Sequence, residues 1–208
     1  MDLHLDPPEV RVLGALMEKE IATPDYYPLS LNALVNACNQ QSNRDPVVSY
    51  DEETVEAALE GLRAKGLATR ITGAGSRVPK HGQRFTEKFN LGRREAAVLC
   101  VLMLRGPQTL GELRGRSERL YTFDDLEAVE STLHRLEETG FTQKLARHAG
   151  SREARFAQLL GGEVEVTEEG ASVEQAVRGP SDRERIAALE QQVEELKREF
   201  EEFRRKFE

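Results

Sequence analysis

Arginine and lysine side chains gather in short stretches of the chain, and the chemistry they offer is the binding of phosphate. Arginine binds phosphate oxygens in pairs, and flexible hairpin arginines hold nucleic-acid backbones or enter a minor groove. We predict phosphate contacts from Arg70, Arg77, Lys80, Arg84, Arg114, Arg116, Arg119, Arg147, Arg152 and Arg155. The alternative is that these cations pair with neighbouring acidic helices or are simply solvated, and the sequence leaves both open.

A second polar set is rich in side-chain amides, which can read adenine edges through paired hydrogen bonds. Its first members recur at i, i+4 and i+7 and so share one face of a helix. The candidates for base readout are Asn32, Asn36, Asn39, Gln40, Asn43 and Arg44. We favour the alternative that these side chains hold a long loop by bonding its own backbone, as asparagine does in turns.

Patterns typical of catalysis are missing from the sequence. The four histidines are scattered, and none stands at metal-ligand spacing to another histidine or to a cysteine. No Gly-x-Ser-x-Gly motif or phosphate-binding loop ending in Lys-Ser/Thr occurs. Cys38 and Cys100 fall on apolar helix faces, where a thiol is more often inert than nucleophilic. We therefore expect a protein that is not an enzyme, with no catalytic residues, no metal site and no cofactor.

The elements that position these groups come from a stretch that occurs twice. Residues 55–66 and 129–140 both read Val-Glu-x-x-Leu-x-x-Leu-x-x-x-Gly, and their apolar positions share one helical face. Asp51 and Asp125 stand where they can cap the two helices, and the glycines fit the helix ends. After each glycine comes a β-prone run and then a Gly-Ser-Arg turn. In the first copy the predicted strands are 67–72 and 77–85. In the second copy the first predicted strand is 141–147.

A helix that leads into a two-stranded hairpin is the second half of a winged-helix domain. The first helix is duplicated as well, because residues 9–17 parallel residues 95–103. The sequence therefore predicts a mainly α fold with small β-hairpins, of the α+β class, in which two tandem winged-helix domains precede a C-terminal coiled-coil helix. The predicted boundaries are 1–88 for the first domain, 89–160 for the second, 161–181 for a linker and 182–208 for the coiled-coil helix.

The charge of the duplicated helices disfavours base readout by them. We expect the first helix to expose Glu52, Glu53, Glu56 and Glu60, and the second to expose Asp124, Glu127, Glu130, Glu137 and Glu138. A helix that enters the major groove must approach phosphates, which such a row of carboxylates repels. A solvated acidic face, or a surface for a basic partner, is the favoured interpretation.

Residues 182–208, called the heptad segment below, carry apolar residues at alternating spacings of three and four. These seam residues are Ile186, Leu189, Val193, Leu196, Phe200, Phe203 and Phe207. Isoleucine and valine at a with leucine at d favour two strands, so we predict a homodimer through this segment. The alternative is an amphipathic helix that folds back onto its own domains.

Composition limits the classes of protein that fit. The net charge of −8 is concentrated after residue 160, where 14 acidic side chains face 8 basic ones, so overall acidity argues neither for nor against a nucleic-acid partner. The first residues lack the basic start and apolar core of a signal peptide, and the longest apolar run is too short for a bilayer. We expect a cytoplasmic protein without membrane contact, with its cysteines as buried thiols in a reducing compartment.

Several stretches resemble the YceH family of bacterial proteins. The resemblance is carried by residues 27–40, Tyr-Pro-Leu-Ser-Leu-Asn-Ala-Leu-Val-Asn-Ala-Cys-Asn-Gln, and by Ser-Asn-Arg-Asp-Pro-Val at 42–47. It extends through residues 76–78, 83–85, 104–114 and 162–165 and so covers nearly the whole chain. The resemblance implies a tandem winged-helix fold. It implies no reaction, because the family has no established catalytic residues to transfer.

Two hypotheses for function remain. The first is a dimeric DNA-associated or regulatory protein that contacts phosphates through hairpin arginines and the helix that carries Arg114, Arg116 and Arg119. The second is a scaffold whose acidic third helices and coiled coil bind a protein partner. The sequence favours the first only slightly, because winged helices so often meet nucleic acid.

Overall fold

The computed structural model describes residues 3–72, 78–146 and 153–162. About half of these residues are helical, and the strands form two small antiparallel sheets, so the fold is mixed α/β. The helices are α1 (Pro7–Ala22), α2 (Leu31–Cys38), α3 (Glu52–Ala64), α4 (Phe85–Lys88), α5 (Arg93–Arg105), α6 (Leu110–Ser117) and α7 (Leu126–Glu138). The strands are β1 (Leu29–Ser30), β2 (Ala68–Ile71), β3 (Lys80–Gln83), β4 (Thr142–Lys144) and β5 (Phe156–Gln158).

The duplication seen in the sequence is visible in the order of elements. The first half runs α1, α2, α3 and the pair β2–β3, and the second runs α5, α6, α7 and the pair β4–β5. In the first half β1 joins the sheet by pairing Leu29 with His81. In the second half Gln108 pairs with Phe156 in an isolated bridge. Each half therefore closes its hairpin with a short segment that directly precedes its second helix.

The predicted helix caps are present. The Asp51 side chain accepts a hydrogen bond from the Thr54 amide, and the Asp125 side chain accepts one from the Ala128 amide. The glycines that follow the two helices, Gly66 and Gly140, have φ angles of 67° and 76°. Glycine adopts this left-handed backbone without steric cost, so the chain can leave each helix there and enter a strand.

The strands of the first half are shorter than the sequence predicted. The second predicted strand ran to residue 85, but Phe85 instead begins the short helix α4. The Gln83 side chain accepts from the Thr86 amide at 3.0 Å and so supports this helix start. Phe85 packs at 5.0–5.5 Å between ring centroids against Phe89 and Phe141, so burial of an aromatic cluster explains why the chain leaves the sheet.

The two halves meet through their first helices. Gly14 of α1 lies against α5, and a Cβ atom added there would come within 3.0 Å of Leu104. The Cys100 thiol donates to the Gly14 carbonyl at 3.5 Å. Apolar side chains from both halves belong to one hydrophobic cluster within a single compact unit. The division into domains at residue 88 stays a prediction.

The remaining predictions about architecture fall outside the described residues. These are the linker beyond residue 162, the heptad segment with its seam residues, and the tips of both hairpins. Across 3–72, 78–146 and 153–162, no helix combines the length and apolar character needed to cross a membrane.

Candidate functional site

The exposed face of α7 and the hairpin beside it form a cavity of about 370 Å³, called the acidic groove below. Its lining residues are Glu127, Glu130, Ser131, His134, Glu137, Lys144 and Phe156. The α7 members recur at helical spacing and therefore share one face. Lys144 of β4 and Phe156 of β5 close the opposite wall, with the Lys144 ammonium 5.7 Å from the Phe156 ring centroid.

The amphipathic pattern of α7 explains why carboxylates line this groove. The helix buries Val129, Leu133 and Leu136 in the core, so the opposite face must point outward. Three glutamates on that face outnumber the single lysine of the groove. Phe156 is only 3 % exposed and adds a small apolar part to the opposite wall. The groove combines negative charge with a small apolar surface, which suits a cationic side chain that has an aliphatic stem.

The third helix of the first half repeats this acidic face. Glu52, Glu53, Glu56 and Glu60 of α3 are all exposed. Glu60 pairs with Arg63 at 3.3 Å, an exposed pair that contributes little to stability. Both third helices therefore present carboxylates to solvent, as the sequence predicted.

A glutamate near the start of each first helix anchors the third helix of the same half. Glu95 in α5 pairs with Arg135 of α7 at 3.2 Å. Glu9 in α1 pairs with Lys65, the residue that follows α3, and also accepts from the Asp6 amide at 2.9 Å in a capping box. These contacts join the start of each first helix to the third helix of the same half.

Several of the arginines predicted to bind phosphate are engaged within the protein. Arg84 pairs with Glu87 at 3.1 Å. Arg114 donates to the carbonyls of Phe123 at 3.3 Å and Asp124 at 2.7 Å, which fastens the loop before α7.

Arg116 and Arg155 converge on the same carboxylate. Arg116 pairs with Glu112 at 3.3 Å and also donates to the Gln108 side chain. Arg155 pairs with Glu112 at 3.2 Å and donates to the Pro107 carbonyl at 2.8 Å. Both side chains therefore connect α6 to the hairpin and its neighbouring loop.

The other predicted cations divide into two groups. Arg70 and Arg119 are exposed and Lys80 is half-buried, and none of the three forms an ion pair with another residue that the structure describes. Arg77, Arg147 and Arg152 lie outside the described residues. Of the phosphate-binding set, the structure brings Arg116 and Arg119 to one small cavity, and the other described members lie on or beside separate elements.

Most of the amide side chains predicted for base readout bond to their own surroundings. Asn39 donates to the Tyr50 carbonyl at 2.7 Å and accepts from the Tyr50 amide at 2.8 Å, which joins the two ends of the loop between α2 and α3. The exposed pair Asn32 and Asn36 bond to each other at 3.0 Å. Gln40 accepts from Lys19 at 3.3 Å.

The last two members of that set, Asn43 and Arg44, belong to a buried polar network. The Asn43 side chain accepts from Arg105 of the second half. The side chain of Arg44 is fully buried, donates twice to Glu18 at 2.6 and 3.3 Å, and donates to the Ala37 carbonyl at 2.7 Å. Arg44 therefore holds the loop to α1 and α2 and presents no donor to the surface.

The environment of Glu18 shows how strong this network is. Burial raises the pKa of a carboxyl, but the hydrogen bonds and charge of Arg44, with Lys19 nearby, lower the pKa of Glu18 below its ordinary value. The carboxylate is thus stabilised in its charged form despite being buried.

The thiols and potential metal ligands offer little chemistry. Burial raises the pKa of the Cys38 thiol to about 12 and raises that of Cys100 as well, so both remain protonated at neutral pH. Within the described ranges, no cluster of three or more His, Cys, Asp or Glu side chains could hold a metal ion.

Sequence reasoning named the groove's glutamates but missed Ser131, Lys144 and Phe156. The helical spacing of Ser131 with Glu127 and His134 was a usable signal. The two hairpin residues could not be placed, because the sequence did not give the register of β4 against β5.

Comparisons with known proteins agree on one family. A family model described as "Protein of unknown function, DUF480" matches residues 5–151. A UPF0502 protein of Solibacter usitatus is 72% identical over 196 residues, which are 94% of either chain. Another, from Citrifermentans bemidjiense, is 52% identical over 195 residues, 93% of this chain and 90% of the relative. A third, from Opitutus terrae, is 57% identical over 162 residues, 76% of this chain and 70% of the relative.

Proposed function

The chain belongs to the DUF480 family, and within it we propose that this protein is a non-enzymatic tandem winged-helix scaffold that binds a lysine- and arginine-rich segment of a partner protein. The observation that carries the proposal is the acidic groove, where three glutamates and a buried aromatic ring face one cavity. The order of helices and hairpins in both halves, and the resemblance to YceH proteins, support the winged-helix assignment.

The dimensions of the acidic groove suit a short extended peptide. Glu127 and Glu137 are ten positions apart on α7, a distance of about 15 Å at the helical rise of 1.5 Å per residue. An extended chain covers that distance in four to five residues, at about 3.3 Å each. Alternate lysine or arginine side chains of such a segment would reach successive glutamates, and one aliphatic stem would cover Phe156.

Electrostatics favours a cationic partner over the major groove of DNA. In base readout the exposed glutamates of α3 and α7 would have to approach phosphates, and the two sets of negative charges would repel each other. Arg84, Arg114, Arg116 and Arg155 would first have to give up bonds within the protein. A cationic peptide at the acidic groove would suffer no such repulsion and would not require these arginines to give up their bonds. Dimerisation through the heptad segment would present two grooves and raise avidity for a partner with several basic segments.

Fluorescence anisotropy with a labelled nine-residue peptide of alternating lysine and alanine tests the proposal. Replacing Glu127, Glu130 and Glu137 together by glutamine removes three exposed charge pairs. At about 0.5 kcal/mol each, the loss is about 1.5 kcal/mol, or roughly tenfold in Kd. The matched control replaces Glu52, Glu53 and Glu56 of α3 by glutamine, which changes the net charge equally.

If the two triple variants weakened peptide binding equally, binding would depend only on net charge, and the groove would be rejected as the binding site. Absence of peptide binding at low salt would reject it as well.

A second candidate function, DNA association, is supported by the first hairpin. Arg70 and Lys80 lie on β2 and β3 and form no ion pair within the described part of the chain, so they are available to phosphates. Charge reversal at Arg70 should reduce the salt dependence of duplex binding if this surface contacts DNA. An unchanged salt slope would remove the candidate.

A further inference from the structure

Three arginines from the second half converge on a small cavity between the halves, called the arginine crevice below. Arg105 ends α5, and Arg116 and Arg119 come from α6 and the turn after it. The first half contributes Glu18, Ala22 and Asn43 to the lining. The cavity measures about 30 Å³, which is room for about two water-sized groups. The crevice is thus a small site surrounded by cationic donors.

The carboxylates near the arginine crevice already form ion pairs. Glu18 pairs with Arg44 at 2.6 Å and with Lys19 at 3.2 Å. Glu112 is shared between Arg116 and Arg155, at 3.3 and 3.2 Å.

Arg105 and Arg119 add two further positive charges, and the only other nearby carboxylate shown to act on Arg105 is that of Asp45. Among the residues that line the crevice itself, the one carboxylate of Glu18 lies beside three arginines. Burial and the charges of Arg116 and Arg44 lower the pKa of Arg105, which is the effect expected where positive charge is in surplus.

Hydrogen-bond donors remain available in the arginine crevice. A guanidinium carries five N–H donors. Arg105 uses its side chain on Asn43, and Arg116 uses part of its own on Gln108 and Glu112. Arg119 makes no hydrogen bond with another described residue. An anion with several oxygens would satisfy donors that the fold leaves open.

A larger cavity shares lining residues with the crevice. It measures about 460 Å³, within the usual range for small-molecule sites. Arg119 and Leu120 line both cavities. Its charged lining residues besides Arg119 are Glu20, which accepts from Gln83, and Arg93, and its apolar walls are Met17, Ile21, Pro24, Leu91 and Ala96. A molecule with its anionic end in the crevice could therefore place an apolar body against α1 and α5.

We propose that the arginine crevice binds the phosphate group of a small organic phosphate monoester, whose body occupies the adjoining cavity. Two oxygens of the phosphate fit the cavity, and the surplus of guanidinium groups matches a dianion. A phosphodiester of a nucleic-acid backbone carries one charge and is substituted on both sides, so it fits this recess poorly. Because the lining comes from both halves, the ligand would stabilise their contact and could bias the orientation of α3 relative to α7.

Isothermal titration calorimetry with phenyl phosphate at pH 8, where the monoester is a dianion, tests the site. Arg119→Gln is the informative variant, since this exposed side chain has no described bond to lose and the fold should be preserved. Its removal should weaken binding on the order of tenfold, the effect of one charge-assisted hydrogen bond. Arg63→Gln on α3 removes the same charge outside the lining of the crevice, so it is the matched control and should bind as the unmodified protein does.

Dimethyl phosphate, a diester, provides the second arm and should bind at least tenfold more weakly than phenyl phosphate. Absence of heat with phenyl phosphate, or equal weakening by the two variants, would overturn the site. Equal affinity for the diester would overturn the monoester assignment and point to a nucleic-acid backbone.

Discussion

Removal of Arg44 is the perturbation whose cost the structure defines best. Arg44→Ala deletes two bonds to Glu18, at 2.6 and 3.3 Å, and two to the Ala37 carbonyl, at 2.7 and 3.1 Å. The Glu18 side chain is 9 % exposed, so its carboxylate would remain buried with only Lys19 as a partner. Breaking a buried pair in this way costs about 3–5 kcal/mol. We expect a loss of that size in the free energy of unfolding.

Urea denaturation followed by circular dichroism measures this loss. The double variant Glu18→Leu with Arg44→Met should recover most of the stability, because well-packed apolar residues can replace a buried ion pair at little cost. A loss below about 1 kcal/mol in Arg44→Ala would refute the reasoning, because a surface pair contributes no more than that.

The same comparison has a defined pH dependence. The folded state lowers the pKa of Glu18, so the group contributes stability above its unfolded pKa, and the contribution is lost as pH falls through the folded value. In Arg44→Ala burial dominates instead, and it raises the pKa of Glu18. The gap in stability between the two proteins should therefore be widest near neutral pH and should narrow as pH falls from the raised pKa of Glu18 in Arg44→Ala through its lowered pKa in the unmodified protein. A gap that is independent of pH would assign the cost to lost packing.

Three further predictions concern packing, thiols and assembly. Gly61→Ala places a Cβ atom closer to the buried Glu9 carboxylate than van der Waals contact allows and should destabilise by about 1–2 kcal/mol. The control Gly115→Ala, with open space around the new atom, should gain up to about 1 kcal/mol, and thermal melts compare the two. Because their pKa values are raised by burial, Cys38 and Cys100 should resist a thiol reagent at pH 8 until urea unfolds the protein, and rapid labelling of the native state would contradict this. Deleting the heptad segment should lower the mass seen by light scattering from dimer to monomer, and an unchanged mass would exclude dimerisation through it.

The elements that the sequence predicted best are those specified locally. Asp51 and Asp125 cap their helices because an Asx side chain reaches amides only a few residues away, and Gly66 and Gly140 are required by the positive φ angles they adopt. Strand ends were predicted less well, since Phe85 leaves the sheet to join an aromatic cluster that includes Phe141 from the other half. Such contacts join distant parts of the chain and leave no periodic pattern.

In the candidate site, too, features specified by local sequence were predicted and features that depend on distant contacts were not. The carboxylates of α7 follow from helical spacing, and the sequence identified them. The bonds of Arg44 and Arg155 could not be predicted from the sequence. Arg44 bonds to Glu18, 26 residues away, and Arg155 bonds to Glu112, 43 residues away. Side-chain type indicates what a cation can bind, but only tertiary structure decides whether a carboxylate within the fold already satisfies it.

The central proposal, a groove for a cationic peptide, is tested most directly by comparing two ligands on the same protein. Anisotropy should be measured for the lysine-alanine peptide and for a random DNA duplex at several salt concentrations. We expect the peptide to bind more tightly at every salt concentration, with an affinity that falls as salt increases. A duplex that binds more tightly than the peptide, with a steep salt dependence that charge reversal at Arg70 reduces, would contradict the proposal and establish the DNA alternative.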